Sequence, residues 1–129
     1  MGIDVEIRVY AEPTEDLLAK LRALTPRDAT MNGHSHPILM AVGVECTKWN
    51  VNPEFDDKPY IVISSMARYF GPGYARGNWP DIKDALFAVR EVCPPGTVWY
   101  GGDYRVSHDP TDDRLFAELD AVWESGERY

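Results

Sequence analysis

Any chemistry this chain performs must come from a small set of residues. His34 and His36 stand two apart, a spacing that on a strand turns both imidazoles to one side. With Asp103, His108 and Asp109 they compose a conceivable divalent-metal set, since imidazole and carboxylate are both suitable ligands. Against this, H-x-H is a common spacing and no HExxH or CxxC pattern accompanies it. Solvated loop histidines are the plainer reading, with His34, His36 and His108 as the ligands if a metal binds. The glycines of Gly71-Pro72-Gly73 and Gly77 precede a helix start, where backbone N–H groups would cradle an anion. Their spacing matches neither the dinucleotide nor the P-loop fingerprint, and turns that need positive φ explain them as well. Cys46 and Cys93 fall inside strand and helix patterns and read as free, buried thiols.

The other notable residues are aromatic and cationic. Arg68, Tyr69, Phe70, Tyr74, Arg76, Trp79, Trp99 and Tyr100 cluster in two stretches of the chain. Core packing accounts for Trp79 and for one of Trp99 and Tyr100. The remainder, with Asp103, suits a recognition surface, because Tyr, Trp and Arg carry much of the energy of protein interfaces. The expected binding set is Arg68, Tyr69, Tyr74, Arg76, Trp79, Tyr100 and Asp103. Stacking of RNA on an open sheet is disfavoured. Lys58-Pro59-Tyr60-Ile61-Val62-Ile63-Ser64 lacks the aromatic–glycine pattern that such a surface needs.

Charge narrows the partners. The net charge is −8, from 21 acidic against 13 basic side chains. Duplex nucleic acid and anionic membranes are met by clustered Lys and Arg, so both are excluded as expected partners. A basic protein is favoured, since opposite charge speeds its encounter. No apolar run approaches the ~20 residues that span a bilayer. The start of the chain lacks a secretory pattern, so a cytoplasmic location is expected.

These residues need elements to position them. Ile3, Val5, Ile7 and Val9 alternate with polar residues and predict a first strand. Pro13 predicts a helix start, carried on by Leu17, Leu21 and Leu24 and stopped at Thr25-Pro26. Arg27–Pro37 is polar and reads as a connection, with Asn32-Gly33 as a turn. Ile38–Trp49 predicts a second strand with a bulge at Gly43, and 50–59 a loop. Tyr60–Phe70 predicts a third strand, apolar on both faces. Trp79, Ile82, Leu86, Val89 and Cys93 predict a second helix with one buried stripe. Thr97–Tyr100 predicts a fourth strand, and a third helix follows, capped by Thr111 and ended by Gly126.

The order β-α-β-β-α-β with an extra C-terminal helix predicts one α+β domain over residues 1–129, of the ferredoxin-like kind. Its antiparallel sheet would run in the order 4-1-3-2. Interleaved β-α-β units bring the C-terminal ends of strands three and four beside the start of strand two. That edge would gather residues 32–37, 68–80 and 101–109.

A resemblance sits on the same residues. Arg68-Tyr69-Phe70-Gly71-Pro72-Gly73-Tyr74, Arg76-Gly77-Asn78-Trp79-Pro80-Asp81-Ile82 and Val98-Trp99-Tyr100-Gly101-Gly102-Asp103 resemble a signature of small uncharacterised bacterial and phage proteins. The resemblance implies a class of acidic immunity or phage anti-defence proteins. Two functional readings follow. One is a non-enzymatic inhibitor that binds and neutralises a protein partner without a cofactor. The other is a nucleotide-binding or metal-dependent hydrolase site at the strand edge formed by 32–37, 68–80 and 101–109.

Overall fold

In the computed structural model the central strand is β1, Val5–Tyr10. The structure describes residues 5–31, 33–50, 52–65, 79–94, 98–101, 107–108 and 114–126. Ile7 and Val9 of β1 are fully buried in the main core. Tyr10 packs in a second cluster, as alternation along a strand requires. Helix α1, Glu15–Arg22, begins two residues later than Pro13 suggests. Thr14 is its N-cap, accepting a 3.2 Å hydrogen bond from the Leu17 backbone N–H. Leu17 and Leu21, one turn apart, are its buried residues.

The stretch read as a polar connection is instead a hairpin. β2, Arg27–Met31, pairs antiparallel with β3, His34–Leu39, in a two-stranded sheet of its own. Met31 faces His34 across two turn residues, and Gly33 holds φ at 78°. A positive φ is one that glycine adopts without strain. The Ser35 hydroxyl donates to Asp28 at 2.8 Å, tying the two strands together outside the ladder. Ile38 and Leu39 therefore end β3, where they are fully buried in the main core.

The second strand of the main sheet is shorter than its apolar run: β4 covers Ala41–Cys46. It pairs with β5, Pro59–Ser65, without a register shift, so Gly43 makes no bulge. The irregularity lies between Arg27 and Asp28. The loop expected at 50–59 contains a 3₁₀ turn, Pro53–Phe55, capped by the Asn52 side chain. Helix α2, Trp79–Val92, is followed by β6, Val98–Gly101, then β7, Ser107–His108, and helix α3, Arg114–Ser125. Gly126 ends α3 with φ at 77°. The proposed cap Thr111 lies outside the described residues.

The chain is thus α+β, with an antiparallel five-stranded sheet in the order β4-β5-β1-β6-β7 and the β2–β3 hairpin beside it. The main core joins Ile7, Val9, Ile61 and Ile63 of the sheet to Leu17 and Leu21 of α1 and to Ala85, Leu86 and Val89 of α2. The opposite sheet face carries a smaller aromatic patch, in which Phe55 and Tyr60 each lie 5.4 Å from Tyr10, ring centre to ring centre. Among the described residues no helix is long and apolar enough to cross a membrane.

Candidate functional site

Backbone register builds one edge of the sheet directly. Val5 pairs with Ser65, Ala41 with Ser64, and Ile7 with Gly101. The C-terminal ends of β5 and β6 therefore lie beside the start of β4. β5 ends at Ser65 and β6 at Gly101, both at this edge. Arg68, Tyr69, Tyr74, Arg76 and Asp103 lie outside the described residues. Tyr100 stands opposite Arg8 on one side of β6 and opposite Ser107 on the other.

Trp79 opens α2 but is only 1 % exposed, within the main core. Its indole N–H donates to Asp120 of α3 at 2.8 Å, and the Lys83 ammonium holds the other carboxylate oxygen. Burial works against the charge of Asp120, yet the hydrogen bonds from Lys83 and Trp79 win and hold its carboxyl below the usual value. Trp79 is thus a core residue and offers no surface for contact. Asp81 sits in the first turn of α2, where negative charge suits the helix dipole.

The histidines divide between two sheets. His34 is exposed beside the hairpin turn, and His36, also on β3, pairs with Ala29 of β2. His108 pairs with Trp99 at the far side of the main sheet. β3 enters β4 at the sheet edge, but His34 precedes Leu39 by a strand's length of about 17 Å. The topology therefore does not oblige the hairpin turn to lie at that edge. Among the described residues no three His, Cys, Asp or Glu side chains are grouped to hold a metal. Cys93 is partly buried, and burial pushes its thiol up to about 11. Cys46 is exposed on β4, where the sequence suggested a core thiol, because β4 is an edge strand.

The face of the sheet bearing Tyr10 and Tyr60 is charged yet internally paired. Arg8 binds Glu6 at 2.7 Å. Burial opposes the Arg8 charge, but the hydrogen-bonded carboxylate of Glu6, with Tyr10 adding to it, outweighs this and raises the guanidinium above its ordinary range. The Tyr60 hydroxyl donates to Glu45 at 3.3 Å. Its burial, with Glu45 adding to the effect, pushes the phenol up. Such neutralised pairs brace a surface; they do not activate a nucleophile.

Sequence reasoning missed one exposed feature. Trp49, assigned to the end of a strand, is 80 % exposed just beyond β4, with the Lys48 ammonium 5.8 Å from its ring centre. Its flanks, Thr47-Lys48 and Asn50, were the available signal, since a core strand seldom ends in such polar company. No protein family matches this chain, and neither the curated proteins nor the solved structures hold a significant match to it.

Proposed function

We propose that this chain is a non-catalytic binding module, an acidic inhibitor of the immunity or phage anti-defence type, built on a ferredoxin-like frame. The frame is supported by the inner strand order β4-β5-β1-β6, which corresponds to 2-3-1-4 when the hairpin is counted as an insertion. The observation that carries the function is the net charge of −8 on a domain of this size. Such a field accelerates and orients encounter with a basic protein. The contact surface is the edge where β5 and β6 end and β4 begins, with Arg68, Tyr69, Tyr74, Arg76, Tyr100 and Asp103 as its binding residues.

Affinity capture on the immobilised chain tests this reading. A basic protein should be retained at low salt and released as salt rises. A bait that retains no protein, while a nucleotide or divalent metal ion raises its melting temperature, would overturn the reading in favour of a small-ligand site.

A further inference from the structure

We propose that the outer edge of β4 receives an extended basic segment of a partner protein, added to the sheet as a sixth strand. The inference deepens the protein-binding reading above and rests on it. The exposed large hydrophobic residues among those described are Met40 (41 %), Val44 (46 %) and Trp49 (80 %). All three fall within positions 40–49, Met40 just before β4, Val44 on it and Trp49 just past its end.

β4 is the terminal strand of the sheet, and its inner side is occupied by β5 from Ala41↔Ser64 to Cys46↔Pro59. Among the described residues nothing pairs with its outer side. Natural edges are usually blunted by lysine, proline or a bulge. The sequence Ala41-Val42-Gly43-Val44-Glu45-Cys46 has none of these, and its register is unbroken. Gly43 has nothing within 4 Å of where a Cβ would stand, so a second backbone can approach closely there.

Trp49 is held ready at one end. The Asp57 N–H donates to the Thr47 carbonyl at 2.8 Å, and the Asn50 N–H to Asp56 at 2.6 Å. The Thr47 hydroxyl donates to the carbonyl of Trp49 itself at 3.3 Å. A loop braced in this way loses little freedom on binding.

Charge selects the occupant. Glu45 is the one charged residue of β4, and the Tyr60 hydroxyl steadies its carboxylate. The segment 45–58 carries Glu45, Glu54, Asp56 and Asp57 against Lys48 and Lys58, an acidic surplus. A second copy added here would set −8 against −8 and bring two such acidic loops together. An incoming strand with Lys or Arg beside Glu45 instead gains a cross-strand ion pair. Its alternate, β-branched residues would continue the line of Val42 and Val44, and main-chain hydrogen bonds would supply affinity. The Trp49 ring would take an apolar or cationic side chain at the far end. At the near end the added strand reaches Ala41, which pairs with Ser64 one position before the end of β5.

The probe is a fluorescent synthetic peptide alternating valine and lysine, with a valine–glutamate peptide and a proline-interrupted peptide as controls. The valine–lysine peptide should bind, more weakly at high salt, and should slow amide exchange within residues 41–46. Each control should bind at least about tenfold more weakly. Val44→Lys, at a half-exposed position, should weaken binding by about tenfold and leave the melting temperature near wild type. Glu45→Lys should shift preference toward the glutamate peptide. Absence of binding at about millimolar peptide, or binding without protection of β4, overturns the proposal. So does a homodimer in sedimentation that Val44→Lys dissolves, since it assigns the edge to a second copy. A captured partner that binds Val44→Lys as well as wild type overturns the β4 proposal and leaves the protein-binding reading standing.

Discussion

Replacing Asp120 by Ala removes the hinge between α2 and α3. The carboxylate accepts a 2.8 Å hydrogen bond from the indole of Trp79, whose ring is 1 % exposed. A hydrogen bond to a charged acceptor in such a place contributes about 1.5–3 kcal/mol, and its loss strands a buried N–H from this acceptor. The Lys83 pair is worth less, about 0.2–1 kcal/mol, because both side chains keep a quarter or more of their exposure. Lys83 also retains the Phe87 ring, 5.5 Å away, so its charge is not abandoned. The expected loss is about 2–3 kcal/mol, which for a chain of this length lowers the melting temperature by roughly 6–15 °C. Asp120→Asn, which keeps an acceptor, should lose about half as much. Urea unfolding at neutral pH, followed by tryptophan fluorescence, measures both variants. Combining Asp120→Ala with Trp79→Phe should cost clearly less than the sum of the two, as residues sharing one contact do. A loss below about 0.5 kcal/mol for Asp120→Ala, or strict additivity, would refute the link between α2 and α3.

The remaining expectations are shorter. Asp120 is held below its ordinary value when folded, so its stabilisation is complete above the unfolded value near 4 and disappears as pH falls through the folded one; the gap between wild type and Asp120→Asn should close on acidification below about pH 4, read by urea midpoints. An alkylating reagent at mildly alkaline pH should label exposed Cys46 first and reach Cys93 only on unfolding, because the Cys93 thiol is pushed up to about 11; equal rates by mass spectrometry would contradict its burial. Gly33→Ala has room for its Cβ but not the right φ, and should cost about 1 kcal/mol in thermal unfolding. Gel-shift assays with duplex DNA or RNA at physiological salt should show no retardation, given the net charge of −8.

The elements with strong periodicity were legible. Alternation in Ile7 and Val9 announced β1, and the run Tyr60–Ile63 announced a central strand, since only a strand buried on both faces is apolar throughout. The stripe of Trp79, Leu86 and Val89 marked the buried side of α2. The hairpin was not legible as strands. Arg27–Met31 and His34–His36 hold few aliphatic residues, and their pairing rests on a two-residue turn and on Ile38 and Leu39 in the core. Ile38–Trp49 read as one strand because its apolar run spans two, broken at Met40. Which strand lies at the margin is a long-range property, so the exposure of Cys46 and Val44 had no local sign. Of the expected binding residues, sequence alone could not separate Trp79, sealed in the core, from Tyr74, five positions before it in the chain. The pairing of its indole with Asp120 joins residues 41 positions apart, beyond any local pattern.

The protein-binding edge is tested most directly by measuring Arg76→Ala beside wild type against the captured partner, with affinity by titration calorimetry and stability by thermal melt. The account predicts binding weaker by roughly 1–3 kcal/mol, as for an interface arginine, with the melting temperature almost unchanged. A lowered melting temperature with affinity intact would contradict it, making Arg76 part of the scaffold and removing the edge as the site of recognition.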